Sequence, residues 1–226
     1  MASSAPRGFF VTGTGTEVGK TIVAAVLARS LASTGRSVAV FKPVETGLDE
    51  SSASGAPPDH ELLRLGAGSD QTDDEIAPYR FGPAVSPHLA AELAGEEIDP
   101  SRLVDAARAA AGSADVLVCE GVGGFLVPLT PTYLIRDFAR ELGLPVVIAA
   151  APGLGTINHT LLTVEAIRAA ELRVAAVVLT PWPESPSGIQ QSNRLTVARL
   201  GAVRVETLPA LKPVGGENWP ALDLGM

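Results

Sequence analysis

The run Thr12-Gly13-Thr14-Gly15-Thr16-Glu17-Val18-Gly19-Lys20-Thr21 has the residue types of a phosphate cradle. Gly13, Gly15 and Gly19 let the backbone turn where side chains would block it. Amides from Glu17 to Thr21 can converge on phosphate oxygens at a helix start, where free N–H groups and the helix dipole favour anions. Lys20 supplies a cation for β- and γ-phosphates, and Thr21 offers a hydroxyl to Mg²⁺. The usual spacing puts four residues between the first glycine and Gly-Lys-Ser/Thr. Here Thr14 holds that first position and the glycine falls one residue earlier, at Gly13. The chemistry survives the extra residue. Gly-Lys-Thr follows a predicted strand and opens a predicted helix, which speaks against an ordinary glycine-rich turn.

Phosphate chemistry of this kind needs a carboxylate near the metal. Glu120 ends an apolar run and precedes Gly121-Val122-Gly123-Gly124, so its carboxylate is expected at the carboxyl edge of a sheet, beside the loop. Lys42 ends another apolar run, Ala39-Val40-Phe41; it is either a desolvated cation for phosphoryl or substrate charge, or a surface lysine at a strand end. Asp59 either reaches the metal or caps the helix that follows it. Thr156 is an expected N-cap, and the helix it opens, with Asn158 in its first turn, either holds a carboxylate through its amides or is merely capped. His60, His88 and His159 show no metal-ligand spacing, and a catalytic histidine is not indicated.

These residues need a parallel α/β sheet to bring them together. Strands are expected at 8–12, 37–42, 115–120, 145–150, 173–180 and 203–207, and helices at 20–34, 101–111, 134–142, 157–170 and 189–200, with a short one at 59–66. The alternation of apolar β-branched runs with Ala/Leu-rich periodic segments is that of βαβ units, in which ligands collect at the carboxyl ends of the strands. Residues 45–58 read as a polar loop rich in Ser, Gly and Pro, and 181–188 as a second Pro-rich loop. No linker divides residues 1–226 into two domains.

Composition narrows the function classes. A chain of 226 residues, 46% hydrophobic but only 4% aromatic, must pack chiefly with Ala, Val and Leu, as parallel sheets under helices do. A net charge of −8 argues against nucleic-acid binding, which needs a basic face. The one cysteine, Cys119, lies in an apolar run and is expected to be a buried thiol in a reducing cytoplasm. The longest apolar run, Pro145 to Pro152, is too short to span a bilayer, and Met1 to Gly8 lacks the apolar stretch of a signal peptide. A soluble, cytoplasmic protein is expected.

Taken with Lys42-Pro43-Val44, Ser86-Pro87-His88, Glu120-Gly121-Val122-Gly123-Gly124 and Leu154-Gly155-Thr156-Ile157-Asn158-His159, the loop resembles the dethiobiotin synthetase family, over nearly the whole chain and in the family's order. The resemblance implies a three-layer α/β/α P-loop NTPase fold and a cyclo-ligase of biotin biosynthesis. Such an enzyme uses ATP and Mg²⁺ to join 7,8-diaminononanoate and CO₂ or bicarbonate into dethiobiotin, ADP and phosphate. A carbamate forms on one amine, ATP phosphorylates it, and the other amine closes the ring. By resemblance, Lys42 and Lys20 are catalytic, and Thr21, Asp59 and Glu120 hold the metal. The nucleotide is contacted by Glu17, Val18, Gly19, Lys20, Thr21, Ile22, Asp59, Glu120, Gly121, Val122, Gly123, Thr180, Pro209, Ala210 and Leu211. Thr16, Lys42, Thr46, Gly123 and Asn158 hold the substrate. Asn158 serves the neighbouring subunit's site, which implies a homodimer.

The resemblance breaks at Thr180-Pro181, where family members often carry an Asn-containing segment that reads adenine. Threonine is a poorer bidentate partner and proline has no amide donor, so relaxed base selectivity is expected. The other base-side segment, Leu208-Pro209-Ala210-Leu211, is retained. A ParA/MinD-like ATPase switch is the main alternative, but such proteins usually carry a second lysine near the loop's start, where Thr12, Thr14 and Thr16 stand. A cobyrinate-type amide synthase would bring a glutaminase domain. A non-catalytic nucleotide-binding module is the third class.

Overall fold

The computed structural model describes residues 7–211 and 219–225. In chain order its elements are β1 (Gly8–Gly13), α1 (Lys20–Ala32), β2 (Val38–Phe41), β3 (Val44–Glu45), α2 (Leu48–Ser54), α3 (Asp59–Ala67), α4 (Asp73–Ile76), β4 (Tyr79–Arg80), α5 (Pro87–Ala94) and α6 (Pro100–Gly112). There follow β5 (Val116–Gly124), β6 (Pro128–Thr130), β7 (Tyr133–Leu134), α7 (Ile135–Leu142), β8 (Val146–Ala150), α8 (Thr156–Ala169), β9 (Val174–Trp182), α9 (Gly188–Gly201) and β10 (Val205–Pro209).

Among the described residues the main sheet has six strands in the order β10-β9-β8-β1-β5-β2. Every neighbouring pair in it runs parallel. The chain builds to one side of β1 as far as β5 and to the other side from β8. The carboxyl end of β1 is therefore the switch point where such sheets bind ligands.

Period-two alternation in the strands feeds two cores. Phe9, Val11, Val40, Val118 and Val147 face α1 and α3, packing on Val23, Leu27 and Leu63. Phe10, Phe41, Leu117, Cys119 and Ile148 face the opposite layer, with Leu103 of α6, Phe138 of α7, Ile167 of α8 and Val197 of α9. Burying both faces explains why these strands read as continuous apolar runs rather than alternating ones. Phe10 and Phe138 meet edge to face at 6.2 Å, an arrangement the ring quadrupoles favour. No helix among the described residues is long and apolar enough to cross a membrane.

All six expected strands form, and β5 and β9 run past their expected ends, to Gly124 and Trp182. Three helices were not anticipated. α2 is polar and seven residues long, α4 is a single turn, and α5 starts on Pro87, inside a Pro- and Gly-containing stretch that reads as loop. The expected loop at 45–58 is corrected. Glu45 is buried in β3, which pairs with β4, and Gly47 in a left-handed conformation (φ 88°) starts α2. Of the C-terminal segment 215–226, residues 215–218 and 226 lie outside the described residues. Leu222 and Leu224 pack with the α1 side of the sheet, and the Leu222 amide donates to Ser30 Oγ at 2.8 Å.

Candidate nucleotide and substrate site

β1 ends at Gly13, and the Thr14 amide donates to the carbonyl of Ala149 at 3.0 Å, tying the loop to the end of β8. The loop then closes tightly on itself. A Cβ on Gly13 would meet Val18 Cγ2 at 2.7 Å and the Gly15 carbonyl oxygen at 2.8 Å. Glu17 (φ 57°) and Gly19 (φ 84°) both take left-handed backbone, a conformation that costs a non-glycine residue energy and concentrates at ligand clamps. Gly19 is the N-cap of α1 and offers no side-chain acceptor to the first-turn amides. Those amides face the loop, as an anion site requires. Lys20 folds back over the cradle, its Nζ donating to the Gly15 carbonyl at 3.2 Å. Burial lowers its pKa from the usual lysine value; Glu120 opposes that shift and Lys42 adds to it.

Phe41 of β2 sits in parallel register with Cys119 of β5, so the next residues, Lys42 and Glu120, emerge side by side. Glu120 also stands in register with Val11 of β1. Lys42 Nζ lies 2.9 Å from Glu120 Oε1 and 2.6 Å from Asp59 Oδ2. Thr21 Oγ1 donates to Glu120 Oε1 at 2.9 Å. The side chains of Lys42 and Glu120 are 4% and 0% exposed, whereas that of Asp59 is 38% exposed and opens the cluster to solvent. Burial alone would lower the Lys42 pKa, but Asp59 and Glu120 outweigh it and hold the ammonium above its usual range. Burial raises Glu120 despite the attraction of Lys42. Burial also pushes Asp59 upward, but its contacts with Lys42 and Thr21 bring it below the usual carboxylate range.

Of the two readings of Lys42, the buried ion pairs select the desolvated cation. Asp59 is the first residue of α3 rather than its cap; the N-cap is Pro58, and the Asp59 carboxylate turns to Lys42. Glu120 Oε2 is buried with no hydrogen-bond partner. A buried acceptor left unmade costs about 1–3 kcal/mol, more when charged, and calls for a further cation or donor. Two carboxylates and a hydroxyl are hard oxygen donors that fit Mg²⁺, which takes few protein ligands and fills its remaining positions with water and phosphate.

The structure also places the other expected site residues. Gly121 and Gly123 are buried and Val122 half-buried along the end of β5; a Cβ on Gly123 (φ 59°) would meet Val127 Cγ2 at 2.8 Å. Thr16 is exposed on the loop, Thr46 is half-buried after β3, and Ile22 packs into the α1 core. Thr180 is buried, and a Cβ on Gly19 would come within 2.7 Å of its methyl, so this residue braces the phosphate loop. Pro209 closes β10 in register with Trp182, Ala210 is exposed, and Leu211 packs toward α1. Asn158 is exposed in the first turn of α8. The expectation for Thr156 is corrected. Gly155 (φ 89°) is the N-cap of α8, and Thr156, already helical, turns inward to within 3.4 Å of Thr160 Oγ1. Burial raises the Cys119 thiol well above its usual pKa, as suits an inert core residue. Glu45, expected at the start of a polar loop, and His60, expected to be one of three scattered histidines, are buried partners at 2.6 Å directly behind Asp59.

A parallel sheet, a glycine-bent loop opening a helix at Gly-Lys-Thr, and a carboxylate on the adjacent strand define a P-loop nucleotide-binding protein. Residues 7–215 match the family model described as an AAA domain. Solved structures of similar fold include a ParA family ATPase from Chlorobium tepidum TLS (TM-score 0.55, 14% identity, 92% of this chain and 86% of that one). The cell division protein FtsY from Thermotoga maritima is another (TM-score 0.55, 15% identity, 97% and 66%). At such identities the likeness concerns the fold alone. Sequence relatives are more specific. This chain is 44% identical to the ATP-dependent dethiobiotin synthetase BioD of Anaeromyxobacter dehalogenans strain 2CP-1, over 86% of this chain and 85% of that protein. It is 40% identical to the protein of that name from Caulobacter sp. strain K31, over 94% and 90%. Against that of Bacillus thuringiensis strain Al Hakam the identity is 37%, over 88% and 81%. The chain belongs to the ATP-dependent dethiobiotin synthetase family.

Proposed function

We propose that this protein closes the ring of dethiobiotin from 7,8-diaminononanoate, CO₂ or bicarbonate, and ATP, releasing ADP and phosphate, as a single P-loop synthetase domain in the cytoplasm. The observation that carries the reading is Lys42. It is a buried ammonium 2.6 Å from Asp59 and 2.9 Å from Glu120, beside the phosphate loop. A pure nucleotide switch needs the loop, but holding a nucleotide does not by itself require a second buried lysine just past the end of β2. A synthetase does, because its carbamate and the phosphorylated form carry negative charge that must be held next to the γ-phosphate.

Residues of the chain divide the work. The amides from Glu17 to Thr21 hold the triphosphate, and Lys20, already leaning over the loop, follows the transferring phosphoryl group. Lys42 steadies the carbamate, and its charge is secured by the carboxylates beside it. Thr16 and Thr46 offer hydroxyls to the diamine end, and the Gly123 backbone lies against the substrate. Gly121, Val122, Thr180 and the segment Pro209-Ala210-Leu211 line the nucleoside side. Thr21, Asp59 and Glu120 would hold Mg²⁺, and the orphaned Glu120 Oε2 supports that assignment. When bound, the ion would neutralise charge on the β- and γ-phosphates. Asn158 and the first turn of α8 would take the substrate's distant carboxylate in the neighbouring protomer of a homodimer. Leu154, 98% exposed, and Leu162, 57% exposed, flank Asn158 and support a protomer contact there.

Lys42→Ala tests the reading. ATP binding, followed by calorimetry, should persist while turnover of the diamine disappears. Loss of both together, or survival of both, would contradict it.

A further inference from the structure

Glu45 and His60 are buried titratable groups to which the chemistry above assigns nothing. Glu45 is 2% exposed and His60 5%. Glu45 Oε1 accepts the Asp59 amide at 2.6 Å, and Oε2 lies 2.6 Å from His60 Nδ1. A carboxylate only accepts, so in this contact His60 is the donor, through an Nδ1–H. His60 Nε2 is 3.6 Å from Asp73 Oδ2, and Asp73 is itself paired with Arg64 of α3. The Glu45 backbone is pinned as well, its carbonyl accepting from the Phe81 amide at 2.8 Å.

The two elements so joined carry the site. Lys42 precedes Glu45 on the segment that leaves β2, and its amide donates to the Ile76 carbonyl at 2.7 Å. Asp59 opens α3, directly before His60. Asp59 is thus gripped twice from that segment, at its carboxylate by Lys42 and at its amide by Glu45. Its side chain is the most open member of the cluster and has the most freedom to lose.

We propose that Glu45 and His60 form a positioning pair that fixes the start of α3 and so holds Asp59 against Lys42 and Thr21. The pair touches no reacting atom and acts through Asp59. This inference rests on the functional reading of Lys42 and Asp59 given above.

The test uses the full-length protein and compares wild type, Glu45→Gln, Glu45→Ala, Asp59→Asn and the double variant Asp59→Asn/Glu45→Ala. Glutamine can still accept the Asp59 amide and can donate to His60 if the imidazole proton moves to Nε2, so kcat should stay within about threefold of wild type. Alanine removes both bonds, and kcat should fall about tenfold or more with ADP affinity nearly unchanged, since small misplacements of catalytic groups cost rate steeply. In the Asp59→Asn background, Glu45→Ala should add less than about threefold, because residues acting through one another are not additive. Histidine ¹⁵N spectra supply a readout independent of turnover: His60 should carry its proton on Nδ1 in the wild type and on Nε2 in Glu45→Gln. Should Glu45→Ala fail to fold, the glutamine variant's rate and the spectra decide. A wild-type-like kcat in Glu45→Ala, fully additive losses, or an Nε2–H tautomer in the wild type would overturn the proposal. Absence of dethiobiotin from the wild type would instead reject the functional reading, and the spectra would still decide whether the Glu45–His60 bond exists.

Discussion

Lys42 Nζ, just past the end of β2, and Glu120 Oε1, on the adjacent parallel strand β5, meet at 2.9 Å, and the same Glu120 oxygen accepts from Thr21 Oγ1 at 2.9 Å. One buried carboxylate therefore links the lysine that follows β2 to the first turn of α1. The link follows from register: Phe41 pairs with Cys119, and Val11 with Glu120. A slip of one residue in either strand would turn Lys42 or Glu120 into the apolar layer.

Glu120→Gln preserves shape but removes the charge. Breaking a buried ion pair from one side typically costs about 3–5 kcal/mol, though Asp59 remains to hold Lys42 and an amide can still accept from Thr21. We expect a modest loss of thermal stability and a fall in kcat of about 100-fold or more, since charge stabilisation at a dry site contributes on that scale. Melting curves and steady-state rates check both; an unchanged kcat would remove Glu120 from the site.

Gly19→Ala should abolish tight nucleotide binding. Its φ of 84° is unfavourable for alanine, and the added Cβ would lie 2.7 Å from Thr180 Cγ2. Thr180→Ser removes that methyl, so the double variant should recover part of the affinity; the backbone cost, about 1–2 kcal/mol, stays. Calorimetry with ADP on both variants measures the two contributions separately.

Gly66→Ala probes helix spacing. Its Cβ would come within 2.4 Å of the Ala25 carbonyl oxygen, backbone that cannot swing aside, so α3 must move off α1. Overpacking of this kind costs about 1–3 kcal/mol. Because α3 carries Asp59 and α1 carries Thr21, kcat should fall along with the melting temperature. A loss of stability with no change in rate would separate the α1–α3 spacing from catalysis.

Base discrimination should be weak. Thr180 turns its methyl toward Gly19, its hydroxyl is a poorer bidentate partner than an amide, and Pro181 has no N–H to offer a base. CTP and GTP should therefore compete with ATP better than they do in relatives with an asparagine there. Strict ATP preference in a competition assay would sink this expectation.

The fold was largely legible because the main strands are buried on both faces and announce themselves as apolar runs between Ala-rich helices. Glu120 and the Thr12–Thr21 loop were legible for the same reason, lying at the carboxyl ends of such runs; Lys42 was legible as a strand-end lysine, but its burial depends on Asp59 and Glu120, which its position alone does not reveal. The Glu45–His60 pair was not. Glu45 sits in a two-residue strand followed by a seven-residue polar helix, too short for any period to show. What buries it is pairing with β4 and contact with the start of α3, both tertiary effects. Thr156 misled for a related reason: threonine is a good N-cap, but Gly155 in a left-handed conformation takes that place and frees Thr156 to point inward.

The most direct measurement supplies the purified protein with 7,8-diaminononanoate, bicarbonate, Mg²⁺ and ATP and follows products by mass spectrometry and phosphate release. Dethiobiotin, ADP and phosphate should appear in equal amounts and only when the diamine is present. ATP hydrolysis without dethiobiotin, or no reaction at all, would contradict the proposed function.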